Sequence, residues 1–189
     1  KVPELGTRQL PFSRNLLIER SDFEEDPPKK YFRLKPGGEV RLRFGYVLRF
    51  EEAIKDENGR VVELRCSHVP GTSAGRPWVV DGATKKVKGI IHWVSEEHAT
   101  RATVRLYDRL FSTPSPGSGH DDGDFLKDLN PHSLSELKEC AVEPGADLSV
   151  VGRAMQFERT GYFCVDPDTS VGGGAVLNRV VTLRDTWSK

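Results

Sequence analysis

Val40-Arg41-Leu42-Arg43-Phe44-Gly45-Tyr46-Val47-Leu48-Arg49-Phe50 places an apolar side chain on nearly every even position and arginines at 41, 43 and 49. Successive side chains of a strand point to opposite faces. This period of two therefore sends Val40, Leu42, Phe44, Tyr46, Leu48 and Phe50 toward a core and lines the arginines on the other face. Asn58-Gly59 follows, the strongest short hairpin signal, and the return segment Val61–Cys66 is expected to turn Val62, Leu64 and Cys66 inward. The same pattern marks strands at Leu16–Arg20, Val87–Val94, Ala102–Leu106, Ser135–Val142, Ser149–Glu158, Tyr162–Val165 and Val176–Arg184. Helix signals are confined to single turns at Asp22–Glu25 and Ser95–Thr100. Around nine short strands punctuated by Gly and Pro predict an all-β protein of barrel or sandwich type. Two loops stand out. One is Pro70–Thr84. The other is Thr113–Gly123, the better candidate for a boundary between two barrels.

Composition bounds the function. The chain has 189 residues, 37% hydrophobic and 30% charged. That is enough apolar material for a core, in one large domain or two small ones. No apolar run approaches the ~20 residues of a membrane helix, and Lys1-Val2-Pro3-Glu4 does not open like a signal peptide. These features point to a cytoplasmic protein, and the absence of an initiating Met to a piece of a longer one. Cys66, Cys140 and Cys164 are an odd number without a Cys-x-x-Cys pair. They read as small core residues of a reducing compartment, with neither a disulfide framework nor a zinc site.

The 28 basic and 28 acidic residues balance, but unevenly along the chain. Lys29, Lys30, Arg33, Lys35, Arg41, Arg43 and Arg49 face only Glu39 in their stretch, whereas His120–Val150 carries eight acids against Lys127 and Lys138. A neutral protein with one basic face suits steered binding of a polyanion; a solvated strand face is the alternative. Lys30-Tyr31-Phe32-Arg33 interleaves aromatics with cations just before the arginine strand. RNA recognition favours unpaired bases stacked on aromatics or guanidinium planes. Arg41 and Arg43, two positions apart on one strand, would lie about 6.8 Å from each other and could each serve one base or phosphate.

Other chemistry is weaker. His120-Asp121-Asp122-Gly123-Asp124 combines carboxylates with His, as a divalent-metal hydrolase would, but it sits in a flexible stretch and does not fit the EF-hand loop. The acidic 121–147 stretch could instead serve a protein partner. Gly172-Gly173-Gly174 lacks the following Lys of a phosphate loop and reads as a hairpin loop. No catalytic constellation and no metal site are legible.

Several strings occur in order: Gly6-Thr7-Arg8-Gln9-Leu10-Pro11-Phe12-Ser13, Ile18-Glu19-Arg20-Ser21-Asp22-Phe23, Val40-Arg41-Leu42-Arg43 and Val87-Lys88-Gly89-Ile90-Ile91-His92-Trp93-Val94-Ser95. Val104-Arg105-Leu106-Tyr107-Asp108-Arg109-Leu110-Phe111, Gln156-Phe157-Glu158-Arg159-Thr160-Gly161-Tyr162-Phe163 and Leu183-Arg184-Asp185-Thr186-Trp187 complete the set. Over nearly its whole length the chain thus resembles the C-terminal anticodon-binding region of bacterial glutaminyl-tRNA synthetases, class I enzymes. The resemblance implies two β-barrels, a proximal one from residues 1–29 and 114–189 and a distal one, 30–113, inserted into it. It implies the anticodon loop of glutamine tRNA as partner, bound by a monomer. It also implies an N-terminal catalytic domain of the same polypeptide that attaches glutamine using ATP. The His-x-Gly-His and Lys-Met-Ser-Lys-Ser signatures of that domain are absent here, so no cofactor and no catalytic residue are expected in this chain. The residues implied at the anticodon are Lys30, Phe32, Arg33, Arg41, Arg43, Gln156, Arg159 and Arg184. Family members read Lys-Gln-Tyr-Lys-Arg-Leu where this chain has Lys29-Lys30-Tyr31-Phe32-Arg33-Leu34, so a glutamine has become Lys30 and a lysine Phe32. A glutamyl-type synthetase or a ribosomal-RNA-binding protein sharing the barrel is the alternative.

Gln156 and Arg159 have opposite parity on a strand from Ser149. They can meet at one base only if the chain leaves strand geometry near Arg159, which Thr160-Gly161 permits. Otherwise Gln156 is a surface residue and Arg159 pairs with an acid such as Glu158.

Overall fold

The structure is a computed structural model that describes residues 6–167 and 174–183. The chain forms two compact units, Pro11–His98 and the described parts of Lys1–Leu10 with Ala99–Lys189. Both are built of strands. The helical segments among the described residues are 3-10 turns at Arg20–Asp22, Ser73–Gly75 and Phe125–Asp128. No helix among them is long and apolar enough to cross a membrane.

The Pro11–His98 unit holds β1 (Leu16–Leu17), β2 (Glu39–Leu42), β3 (Val47–Lys55), β4 (Val61–Val69), β5 (Trp78–Val80), β6 (Ala83–Lys85), β7 (Ile90–Ile91) and β8 (Val94–Ser95). A four-stranded sheet runs β4-β3-β2-β7, with β1–β8 and β5–β6 as separate pairs. The Asn58-Gly59 hairpin forms as expected. Gly59 takes φ +76°, and the Asp56 carboxylate accepts backbone N–H bonds from Asn58 and Arg60 at 3.0 and 2.8 Å.

The period-two reading holds at Val40 and Leu42, both fully buried, and then fails. Val40–Phe50 is not one strand. Gly45 N–H donates to the Leu42 carbonyl and Leu42 N–H to that of Tyr46, each at 2.9 Å, closing a tight turn with Phe44 at φ +61°. The turn is packed closely at Gly45, where a Cβ would lie 3.0 Å from the Leu42 Cβ and 3.3 Å from the Trp93 ring. The turn shifts the parity, so Val47 and Leu48 are buried while Phe44 is 55% exposed. In β4 the far end of the hairpin departs too. Leu64 and Cys66 are half-buried but Val62 is exposed, because bulges between Phe50 and Glu52 and between Ile54 and Lys55 offset the register.

The expected loop Pro70–Thr84 contains a further hairpin, β5–β6. Asp81-Gly82, with φ +50° and +78°, forms the two-residue turn that such dipeptides favour. It lays Trp78, 4% exposed, beneath Arg49 and Lys85, whose charged groups sit 4.7 and 4.3 Å from its ring centre.

The second unit holds β9 (Thr100–Tyr107), β10 (Leu134–Val142), β11 (Ala154–Phe157), β12 (Gly161–Val165) and β13 (Ala175–Val181), in one sheet ordered β10-β9-β13-β12-β11. Its core gathers Ala102, Val142, Phe163, Val165 and Leu177, with Val104, Leu106, Met155 and Phe157 packed against them. The strand expected from Ser149 begins only at Ala154. Gly152 at φ +71° and the Arg153 N–H bond to the Val150 carbonyl hold the preceding residues in a turn. Thr113–Gly123 lies between β9 and β10, two neighbours of this sheet.

Candidate nucleic-acid interface

In the Pro11–His98 unit, the stretch before β2 turns back against Ser21–Glu24 and forms one wall of a pocket. Lys30 takes φ +70°, reversing the chain, and Tyr31 N–H bonds to the Pro28 carbonyl at 3.2 Å. The Tyr31 hydroxyl and the Arg33 guanidinium both donate to the Ser21 carbonyl, at 3.0 and 2.9 Å, and Arg33 also pairs with the fully buried Asp22 at 3.2 Å. Leu34, 1% exposed, anchors the end of the segment in the core through its N–H bond to the Asp22 carbonyl, 3.0 Å. On the opposite side, a Cβ at Gly89 would sit 2.3 Å from the Phe32 carbonyl oxygen, so only glycine allows this approach.

The result is a pocket of about 430 Å³, lined by Lys29, Lys30, Arg33, Lys35 and Lys88 together with Tyr31 and Phe32. Phe32 is 53% exposed, and the Lys88 ammonium stands 5.5 Å from its ring centre. Glu39, the one acid of the lining, is already paired with Lys85 at 2.7 Å and Arg49 at 3.7 Å. The pocket therefore keeps a positive field with aromatic faces inside it, the combination that tracks a phosphate backbone while stacking bases.

Lys30, Phe32 and Arg33 thus lie together, whereas Arg41 and Arg43 do not line the pocket. Arg41 donates to the carbonyls of Thr72 at 2.6 Å and Arg76 at 2.9 Å, tying down the loop before β5. Arg43 stacks its guanidinium on Phe44, 4.7 Å from the ring centre. Lys29 and Lys35, already part of the basic stretch in the sequence, join the lining, and Lys88 is the cation that sequence reasoning missed. Lys88 stood in the run Lys85-Lys86-Val87-Lys88 before Gly89, and that charge cluster was the available signal.

In the other unit, Gln156 is exposed on β11 between the half-buried Met155 and Phe157. The chain leaves strand geometry beyond it, with Arg159 itself at φ +74° and Thr160 N–H bonded to the Phe157 carbonyl at 3.1 Å. Arg8 bonds to Glu143, which holds the guanidinium pKa above its ordinary value, and Glu158 adds to the effect. This places another arginine near the β11–β12 turn, unnoticed as a lone residue in sequence. Arg184 lies outside the described residues.

The rival sites have local explanations. Asp128 accepts from the Gly117 N–H at 2.8 Å and pairs with His120 at 3.1 Å, and both contacts hold its pKa down, the Gly117 bond most. Asp122 is bound to Lys127, and Asp124 caps the 3-10 turn that follows it. Among the described residues no three His, Cys, Asp or Glu side chains are grouped to hold a metal ion. The three cysteines are half-buried and free, and burial, with Glu51 adding to it, pushes the Cys66 thiol up to about 11.

Two family models, each described as tRNA synthetases class I (E and Q), anti-codon binding domain, match residues 1–69 and 90–166. The glutamine–tRNA ligase of Pseudomonas putida is 52% identical over 184 residues, covering 97% of this chain and 32% of its own length. That of Rhodopirellula baltica is 50% identical, covering 97% and 30%. That of Bordetella bronchiseptica is 51% identical, covering 98% and 30%. The chain spans about a third of the length of the curated relatives it matches.

Proposed function

The chain belongs to the anticodon-binding domains of the class I (E and Q) tRNA synthetases, and on that premise we propose that it reads the anticodon loop of glutamine tRNA. The observation that carries this reading is the pocket of five cations around Tyr31 and Phe32. Lys29, Lys30, Lys35 and Lys88 supply mobile charges for phosphates. Tyr31 and Phe32 offer faces to unpaired bases, and Arg33, held by Ser21 and Asp22, forms a fixed part of the pocket wall. In the other unit Gln156, with both a donor and an acceptor, and Arg159, with donors only, supply what is needed to tell a pyrimidine from a purine. Arg41, Arg43 and Arg184 belong to the proposed set through the family resemblance.

We read the two units as the proximal and distal barrels of the region. β9 pairs with β10 and β13, which supports grouping Thr100–Tyr107, a segment within the distal insertion expected from sequence at 30–113, with the proximal barrel. The chemistry, ATP-dependent attachment of glutamine, belongs on this reading to a catalytic domain N-terminal in the same polypeptide. The present chain acts as a monomeric binding module in the cytoplasm, without a cofactor of its own.

The test is the affinity of the purified chain for anticodon stem–loops of glutamine and glutamate tRNA, measured in parallel over a range of salt. The glutamine stem–loop is expected to bind more tightly. Its log affinity should fall linearly with log salt, and Lys30→Ala and Lys88→Ala should each reduce the slope by about one unit. Equal affinity for the two RNAs, or a flat salt dependence, would overturn the reading.

A further inference from the structure

Phe44 is placed at a cost. It occupies the third position of the Leu42–Gly45 turn, with φ +61°, while Arg43 before it keeps a negative φ. That is the position where such turns call for Gly or Asn, and a bulky residue there is an outlier. The ring gains little burial in return, being 55% exposed. Strain together with an exposed aromatic is a combination that persists where something other than stability is served.

The turn that bears the ring is held from three directions. Arg43 N–H donates to the Ile91 carbonyl at 2.9 Å, the Trp93 indole N–H donates to the Arg43 carbonyl at 2.9 Å, and Ala74 N–H donates to the Phe44 carbonyl at 3.1 Å. Trp93 is itself buried, so the mount is fixed. The Arg43 guanidinium lies over the ring at 4.7 Å and sets its orientation. A rigidly presented aromatic face with a cation beside it matches an unpaired nucleobase and its phosphate, and its fixed mount spares the ordering cost of binding.

We propose that Phe44 is a stacking platform for an unpaired base of the anticodon loop, with Arg43 fixing the ring and neutralising the adjoining phosphate. This rests on the anticodon reading above and adds a site outside the Lys29–Arg33 pocket. β2 carries the chain about 10 Å from Glu39, at that pocket's edge, to Leu42, and Phe44 stands on the turn beyond it, so the platform would engage a different nucleotide from the one held there.

The test uses Phe44→Gly, Phe44→Asn and Phe44→Trp in the full chain, with the glutamine tRNA anticodon stem–loop as probe. The Gly and Asn variants relieve the strained backbone, so the thermal midpoint should rise by about 2–4 °C. Loss of one stacked base should weaken binding roughly 5- to 150-fold. The salt slope should not change, since no cation is removed. Phe44→Trp should bind like the unmodified chain. Unchanged affinity in the Gly and Asn variants, with the unmodified chain binding normally, overturns the platform and leaves the anticodon reading standing. A fall in the midpoint of both variants would show a ring that serves the fold, and would also overturn it. Failure of the unmodified chain to bind the stem–loop overturns both.

Discussion

Arg33→Met is expected to damage the fold of the Pro11–His98 unit before it damages any base contact. The Asp22 side chain is fully buried, and Arg33 approaches it at 3.2 Å while also donating to the Ser21 carbonyl at 2.9 Å. Removing the guanidinium strands a buried carboxylate and an acceptor at once. Breaking a fully buried ion pair costs about 3–5 kcal/mol, but the Arg33 side chain is 38% exposed, so solvent shares the load and about 2–3 kcal/mol is the appropriate scale. For a chain of this size that lowers the thermal midpoint by about 5–10 °C. Urea unfolding of Arg33→Met, Asp22→Asn and the double variant closes the cycle. The double variant should be less destabilised than the two single losses added together, because once the carboxylate is neutral its partner matters less. RNA affinity measured well below the midpoint then separates the roles, since a structural Arg33 leaves residual binding that follows the folded fraction. A midpoint unchanged within 1 °C, with binding abolished, would refute the structural assignment and return Arg33 to the bases.

Arg41→Ala should free the loop between Gly71 and Arg76, whose carbonyls at Thr72 and Arg76 it holds. Limited proteolysis there should accelerate at least several-fold, and protection equal to that of the unmodified chain would contradict the tether. Arg159→Gly relieves a positive φ and should leave stability equal or higher, while weakening the glutamine stem–loop by ~1–3 kcal/mol and a loop with another middle base far less; equal losses would remove it from base reading. Cys66 should alkylate slowly at neutral pH and faster up to about pH 11. Because the folded thiol holds its proton more tightly than the unfolded one, its contribution to stability is complete below pH 9 and is lost as pH rises from 9 toward 11; a reactivity plateau near pH 9 would contradict this. The purified chain should show no glutamine-dependent ATP–pyrophosphate exchange, and detectable exchange would place the catalytic step within it.

The all-β class was open to reading because the signals that set it are local. Alternation along Val40–Leu42 and the Asn58-Gly59 dipeptide act through neighbours one to four residues away, and the chain obeys them. Asp81-Gly82 carried an equally local signal that the surrounding Gly, Pro and Ser obscured. The motif strings likewise brought the family within reach, since order and identity along a chain are linear information. What sequence did not contain were the partners of the charged side chains. Arg33, Arg41 and Arg43 look alike on paper, yet one pairs with a buried Asp22, one binds two carbonyls more than thirty residues away, and one lies on Phe44. Backbone carbonyls have no residue-type signature, so which arginine they capture is settled only when Thr72 and Arg76 are folded against β2. The same holds for Lys88, which reaches the Phe32 ring because Gly89 lets two backbones touch. Period and turn chemistry determine that there are strands. Long-range packing decides which cations are consumed by the fold and which remain to meet a polyanion.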